Sequence, residues 1–153
     1  MISTKGRYAL RVIIDLAQQD PNTFIPLVGI AERQEISFKY LEIVIKVLVK
    51  EGLLEGHRGK GGGYKLTRKP SEYTVGEILE LAEGNLAPVA CLANNAEVCP
   101  RKEHCITLPL WTKYNQITRD FFFSITVQDI INGCNFEQFE LMKVPHCTEG
   151  TTL

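Results

Sequence analysis

The chain has 153 residues with 44% hydrophobic and 23% charged side chains, a balance that excludes a disordered protein and suits one domain, or a small domain with an appendage. No segment approaches the roughly 18 uninterrupted apolar residues of a membrane span and no secretory signal is visible, so a cytoplasmic protein without a membrane partner is expected. The net charge of −1 conceals an asymmetry: residues 1–70 have twelve Lys or Arg and seven Asp or Glu, whereas residues 71–153 have five and eleven. Only the first half is therefore expected to bind a polyanion.

Three segments among the first fifty residues have the periodicity of amphipathic helices. The first covers about residues 8–19. A short second helix begins near Pro26, and the third begins after Ser37, a good N-cap, and closes at Gly52. Two helices joined by a turn of three or four residues are typical of a helix-turn-helix, although any three-helix packing shows the same periodicity. The third helix leaves six residues off its main apolar stripe: Lys39, Tyr40, Glu42, Ile43, Lys46 and Lys50.

A glycine-rich hairpin is predicted directly after the third helix. Residues 53–57 and 64–67 are expected to form two short strands, and the four glycines between them permit the positive φ angles of a tight turn. Arg58 and Lys60 lie in this turn, on a bare backbone that can approach a phosphate or enter a minor groove. A hairpin after a helix-turn-helix indicates the wing of a winged helix, whereas in isolation it would indicate a flexible surface hairpin with solvated charges.

Three cysteines, Cys91, Cys99 and Cys105, lie in a segment whose prolines and asparagines exclude a helix or a strand. In a reducing compartment, thiolates on an irregular loop favour a metal or an iron–sulphur cluster over a disulfide framework. A structural zinc site commonly includes a close Cys-x-x-Cys pair, which this loop lacks, and His104 is a candidate further ligand. The alternative is three redox-sensitive or inert thiols without a cofactor. The other two cysteines are predicted to be isolated thiols: Cys134 and Cys147.

Helices are predicted on both sides of this cysteine loop. Thr74 and Glu77 form a capping box at the start of the first, and the long second helix covers about residues 108–123. The second helix has a stripe that we expect to form a dimer surface, with packing onto its own protomer as the alternative: Leu110 or Trp111, Tyr114, Ile117 and Phe121. Residues 132–153 are expected to be a flexible tail.

Several segments, taken in order, resemble the Rrf-two family of bacterial transcription regulators. The resemblance lies in residues 3–9, 30–37 and 40–42, in the Arg-Gly-x-Gly-Gly-Gly-Tyr run at 58–64, and in a three-cysteine loop followed by Trp111. It covers about residues 1–131. It implies a mainly α fold with a small β wing, in which residues 1–70 form a winged helix-turn-helix DNA-binding domain. Residues 71–131 would then hold the sensing cysteine loop and a long C-terminal dimerisation helix.

The resemblance also implies which residues act. Cys91, Cys99 and Cys105 would hold an iron–sulphur cluster, with a 2Fe–2S form favoured slightly over a 4Fe–4S form. Part of the family has a fourth, histidine ligand where this chain has Leu108, so the fourth ligand stays open. The residues expected to contact DNA lie on the wing, at the start of the recognition helix and near the N-terminus: Arg58, Lys60, Ser37, Lys39, Tyr40, Glu42, Thr4 and Lys5.

Three functions are weighed on this basis. The first is a homodimeric repressor or other regulator whose affinity for a double-stranded DNA operator is set by the cluster, sensing iron–sulphur status, redox state or nitric oxide. The alternative is a cofactor-free winged-helix repressor of the cysteine-metabolism type, controlled by thiol oxidation or a protein partner. An enzyme with a small-molecule substrate is not expected, because the chain has no Cys-x-x-Cys pair and its three histidines show no acid–base arrangement.

Overall fold

The computed structural model describes residues 2–134 and residue 136, so the predicted tail lies almost entirely outside the described residues. Within them the chain forms six α-helices and one two-stranded antiparallel sheet, which confirms a mainly α fold with a small β wing. None of these helices is long and apolar enough to cross a membrane. The elements are α1 Thr4–Ala17, α2 Leu27–Gln34, α3 Phe38–Lys50, β1 Leu54–His57, β2 Gly63–Leu66, α4 Val75–Glu83, α5 Leu108–Ser124 and α6 Val127–Ile131.

Side-chain caps determine where the first helices begin. The hydroxyl of Ser3 accepts hydrogen bonds from the backbone N–H groups of Lys5 and Gly6, at 3.1 and 3.4 Å, so α1 begins about one turn earlier than its apolar periodicity indicates. The third helix begins where predicted, since the Ser37 hydroxyl accepts from the N–H of Tyr40 at 3.3 Å. A three-residue turn, with Glu35 in the left-handed conformation, joins α2 to α3 as a helix-turn-helix.

One main core joins the helix-turn-helix to segments from later in the chain. The buried side chains come from α1, α2, α3 and β1, and four more come from beyond residue 70: Tyr73, Ile78, Ala82 and Val127. A buried carboxylate fastens α1 to α2, because Asp15 accepts from the Arg33 guanidinium at 2.7 and 3.0 Å and from the Gln34 amide at 2.9 Å. The main core therefore draws on both sides of the predicted domain boundary.

The wing is a regular hairpin with its own anchor. In its register Leu54 pairs with Leu66 and His57 with Gly63, and the turn between them has Gly59 and Gly61 at φ +98° and +75°, values that favour glycine. The backbone of Tyr64 also exchanges two hydrogen bonds with Ile25, both at 2.9 Å, just before α2 begins. The hairpin is thus held beside the start of α2, and residues 58–61 of its turn are exposed.

Tyr73 fixes the base of the wing. Its ring is fully buried, and its hydroxyl donates to the carbonyl of Leu53 at 2.8 Å while accepting from the N–H groups of Thr67 and Arg68, both at 3.0 Å. These contacts tie the end of β2 to the segment that follows α3. A single phenolic group therefore satisfies three backbone groups that water reaches poorly.

We expect Tyr73→Phe to lower the free energy of unfolding by about 1–3 kcal/mol, because the substitution keeps the ring and leaves those backbone groups without their partner. Urea unfolding followed by circular dichroism measures this change. Tyr114→Phe is the matched control, since Tyr114 lies with its ring half exposed on α5. Equal stability of the two variants would show that the Tyr73 hydroxyl does not hold the wing.

A second, smaller core lies between α4 and the end of α5. Its buried members are Val75, Leu79 and Ile125, and half-buried Phe121 and Phe122 pack against them. Thr74 caps α4 by accepting from the N–H of Glu77 at 3.1 Å. Only this half of the predicted capping box forms, because the Glu77 carboxylate accepts instead from the Arg68 guanidinium at 2.8 Å.

Candidate DNA interface and cysteine loop

The outer face of α3 is the first part of the candidate DNA interface. The helix buries Leu41, Val44, Ile45 and Leu48, and the opposite side exposes a row of four residues: Lys39, Ile43, Lys46 and Lys50. Two predicted contacts lie nearer the core, since Glu42 and Tyr40 are half-buried. The Tyr40 ring packs edge-on against Tyr8 with 5.5 Å between ring centroids, so part of its surface serves packing.

The predicted phosphate contacts at the start of α1 have an acidic neighbour. Thr4 is exposed and Lys5 is half-buried. The preceding residue, Ser3, donates hydrogen bonds from its backbone N–H and its hydroxyl to the carboxylate of Glu83 on α4, at 2.9 and 2.8 Å. A carboxylate at this position opposes binding of a phosphate close by. The exposed Ser37 at the start of α3 has no such acidic contact among the described residues.

Lys50 of α3 and Lys65 of the wing pair with Glu51 and Glu55, whereas the other cations of α3 and of the wing turn do not pair within the described part of the protomer. Arg58 and Lys60 are exposed in the hairpin turn. In the described part of the chain neither of them forms an ion pair, and the same holds for Lys39 and Lys46. Cations outside these two elements are also paired with carboxylates, among them Arg33, Arg68 and Arg119. The helix α3 and the wing turn therefore present four exposed cations that pair with no carboxylate among the described residues.

Cys91, Cys99 and Cys105 belong to the loop that connects α4 to α5, and all three line one cavity of about 190 Å³. Cys99 and Cys105 are half-buried, Cys91 is exposed, and all three are free thiols. The hydroxyl of Thr107 lies 3.5 Å from the Cys105 sulphur, and this hydrogen bond holds the pKa of the Cys105 thiol below its ordinary value. The remaining lining residues are Leu92, Ala96, Glu97, Val98, Lys102 and Leu108.

The donor set fits an iron–sulphur cluster in its chemistry and only partly in its arrangement. Thiolates are the ligands such clusters require, and three of them share the cavity. Within residues 2–134, however, no group of three or more His, Cys, Asp or Glu side chains converges on one metal ion. The loop would have to draw the thiols together to hold a cluster. His104 is exposed and does not line the cavity, Cys134 is exposed, and Cys147 lies outside the described residues.

Glu80 on α4 links the cysteine loop to α5, a contact that sequence analysis did not predict. One of its carboxylate oxygens accepts from the Asn94 amide at 3.1 Å and from the Arg119 guanidinium at 2.6 Å. The hydrogen bond from Arg119 is the main reason that the pKa of Glu80 is lowered. The three-residue spacing of Glu77, Glu80 and Glu83 places these side chains on one face of α4, but nothing in the sequence indicates their distant partners.

The predicted dimer stripe divides into two parts. Near the start of α5, Leu110 and Tyr114 are 61% and 53% exposed. Near its end, Phe121 and Phe122 pack onto the second core. The exposed part borders a cavity of about 680 Å³ that is lined by Ile2 as well as by the segment after α4. A single protomer thus covers only the C-terminal part of the stripe.

Comparison with known proteins gives a consistent result. Residues 2–133 match the family Rrf2, described as an iron-dependent transcriptional regulator. The HTH-type transcriptional regulator IscR of Pectobacterium atrosepticum is 34% identical over 132 residues, which cover 86% of this chain and 79% of that protein. The structure of CymR, the global cysteine regulator of B. subtilis, aligns with a TM-score of 0.70 and 31% identity over 88% of this chain and 98% of that one. T. potens IscR aligns with a TM-score of 0.68 and 33% identity over 90% of both chains.

Proposed function

The chain belongs to the Rrf2 family of DNA-binding transcriptional regulators and not to an enzyme family, and from that premise we propose that it is a homodimeric, cytoplasmic regulator controlled through its cysteine loop. In this proposal α3 and the wing bind a double-stranded operator, and the state of Cys91, Cys99 and Cys105 sets the affinity. The observation that carries the DNA-binding part is that four cations, Lys39 and Lys46 of α3 and Arg58 and Lys60 of the wing turn, are exposed and form no ion pair among the described residues.

Each protomer would place α3 in a major groove. The wing would lie beside it, with Arg58 and Lys60 reaching the adjacent minor groove, and the start of α3 at Ser37 would face the phosphate backbone. Residues 71–134 carry eight acidic residues against four basic ones, so they would lie away from the DNA. A dimer would present two such units to two half-sites of one operator.

We expect operator affinity to fall steeply with salt, with a slope of about −5 to −9 in a plot of log affinity against log salt concentration, if the dimer neutralises roughly six to ten phosphates. Fluorescence anisotropy with a labelled duplex measures this slope. Lys113→Gln is the control that should leave it unchanged, because Lys113 is an exposed cation of α5, away from α3, the wing and the cysteine cavity. A slope near zero for the wild-type protein would contradict DNA binding through α3 and the wing.

Dimerisation is supported by the apolar surface that one protomer leaves uncovered. Leu110, Trp111 and Tyr114 are exposed near the start of α5, beside the cavity lined by Ile2. A contiguous exposed apolar patch on a globular protein commonly marks an interaction site. A second copy packed on this part of α5 would cover it, and would place the two DNA-binding units on one assembly.

Sensing would occur at the cysteine loop. Cys91, Cys99 and Cys105 would hold the cluster, most simply a 2Fe–2S form, and the lowered pKa of Cys105 favours the thiolate that ligates iron. A bound cluster supplies iron that reacts with oxidants and nitric oxide. Asn94 lies between the first two cysteines, so a change in the loop would reach α4 and α5 through Glu80. A shift of α4 would in turn reach the start of α1, because Glu83 of α4 accepts two hydrogen bonds from Ser3.

A cofactor-free regulator is the second candidate, and two observations favour it. The three thiols share a cavity without converging on one point, and the chain is similar in structure to CymR as well as to IscR. In this case the same loop would respond by oxidation of a thiol, and the lowered pKa of Cys105 favours the thiolate form that oxidants attack. Binding of a protein partner would be the other means of control.

A further inference from the structure

Glu97 lies in the cysteine loop, two residues before Cys99, and it lines the same cavity as all three loop cysteines. Within the described part of the chain its carboxylate forms neither a hydrogen bond nor an ion pair. The two acidic residues that precede it in the chain are both engaged, since Glu80 accepts from Asn94 and Arg119, and Glu83 from Ser3. An exposed glutamate is ordinary on a protein surface. Its place beside three thiols, however, gives the cavity a further possible ligand.

A cluster held by the three cysteines alone would lack one protein ligand. Both the 2Fe–2S and the 4Fe–4S forms commonly take four ligands from the protein, and the cavity offers three thiols. One coordination position on the iron is therefore left for a donor of another kind.

Glu97 is the cavity-lining residue, other than the cysteines, whose side chain can donate an electron pair to iron. Carboxylate oxygens are established iron ligands in proteins. Lys102 also lines the cavity, but its protonated amine has no free electron pair. His104 does not line the cavity. The remaining lining residues are apolar: Leu92, Ala96, Val98 and Leu108.

The short separation of Glu97 from Cys99 places the carboxylate within reach of the site. Their Cα atoms are at most about 7 Å apart, and residues 96–99 belong to no helix or strand. A movement of the loop that draws the three thiols together would therefore carry Glu97 with them. Lys102 would offset part of the negative charge that four anionic ligands bring into the cavity.

Building on the proposed cluster, we propose that Glu97 is its fourth protein ligand, so that one carboxylate oxygen completes the set formed by Cys91, Cys99 and Cys105. Soft thiolates suit such clusters better than a hard carboxylate does. The iron bound by Glu97 is thus the position at which a competing ligand enters most readily, which makes it the reactive side of the sensor.

Two substitutions of Glu97 test this assignment in the full chain after anaerobic reconstitution with iron and sulphide. In Glu97→Ala we expect EDTA to remove iron at least about tenfold faster, because loss of even an outer-shell partner commonly costs 10- to 100-fold in metal affinity. Glu97→Cys supplies a fourth thiolate, so it should restore slow release. It should also change the visible absorption and the electron paramagnetic resonance spectrum of the reduced protein, which a merely structural glutamate would not do.

Glu103→Ala is the matched control, because Glu103 is an exposed acidic residue of the same loop and does not line the cavity. It should keep the iron release rate and both spectra of the wild-type protein. Wild-type release in Glu97→Ala, or wild-type spectra in Glu97→Cys, would overturn the inference, and the proposed cluster would stand with another fourth ligand. If the wild-type protein takes up neither iron nor sulphide, the proposed cluster fails and the inference fails with it.

Discussion

Arg58→Ala is expected to weaken operator binding by about 1–3 kcal/mol, or roughly 5- to 150-fold in Kd, the range typical of one good groove contact. Arg58 is exposed in the wing turn and has no acidic partner among the described residues, so the substitution removes a DNA contact and disturbs no ion pair. The wing should keep its shape, because its turn depends on Gly59 and Gly61 and its base on Tyr73. Fluorescence anisotropy with the operator duplex measures the loss.

Two further variants separate the kinds of contact that Arg58 could make. Arg58→Lys keeps the charge and loses the planar guanidinium. Compared with Arg58→Ala, it should therefore recover the wild-type salt dependence but only part of the wild-type affinity. Lys113→Ala removes an exposed cation from α5, away from the cysteine cavity, and should leave the affinity unchanged. Unaltered affinity of Arg58→Ala would remove the wing from the DNA interface, while α3 would remain in it.

Cys99→Ala is expected to abolish cluster binding and to remove the dependence of DNA affinity on iron. Cys99 is the middle of the three cavity-lining cysteines and is half-buried, so one fewer thiolate remains to hold the iron. The visible absorption of anaerobically reconstituted protein, together with its iron and acid-labile sulphide content, measures the first effect. Operator affinity with and without reconstitution measures the second.

Cys134→Ala is the control for this experiment, since Cys134 is an exposed thiol that does not line the cavity. It should retain the colour and the iron dependence of the wild-type protein. If Cys99→Ala retains both, the cluster lies elsewhere. If neither protein takes up iron, and oxidation of the wild-type thiols changes its operator affinity, the cofactor-free regulator becomes the better interpretation.

Local signals in the sequence were sufficient to predict α3 and the hairpin of the wing. Ser37 has the side chain of an N-cap and the helix begins directly after it, and the glycine run gives a hairpin because Gly59 and Gly61 adopt positive φ angles. These features depend on neighbouring residues alone. The start of α1 was predicted too late because its first turn carries no apolar periodicity, and the Ser3 cap was the signal that could have corrected it.

Contacts between distant segments could not be predicted in the same way. Glu80 meets Asn94 and Arg119, which are 14 and 39 residues away, and no local pattern indicates either pairing. The same holds for Glu83, which binds Ser3 from 80 residues away and brings a negative charge to the predicted phosphate contact at Thr4 and Lys5. Cysteine spacing likewise indicated the chemistry of the loop but not how far its three thiols converge.

The most direct test of cluster-controlled DNA binding is to measure, on one oxygen-free preparation of the wild-type protein, its iron and sulphide content and its operator affinity before and after the iron is removed. We expect iron and acid-labile sulphide bound to each protomer, and a change in affinity of roughly 5- to 150-fold on their removal, the usual range of coupling between two sites. A preparation that contains neither iron nor sulphide after anaerobic reconstitution, or one whose affinity stays the same when they are removed, would contradict it.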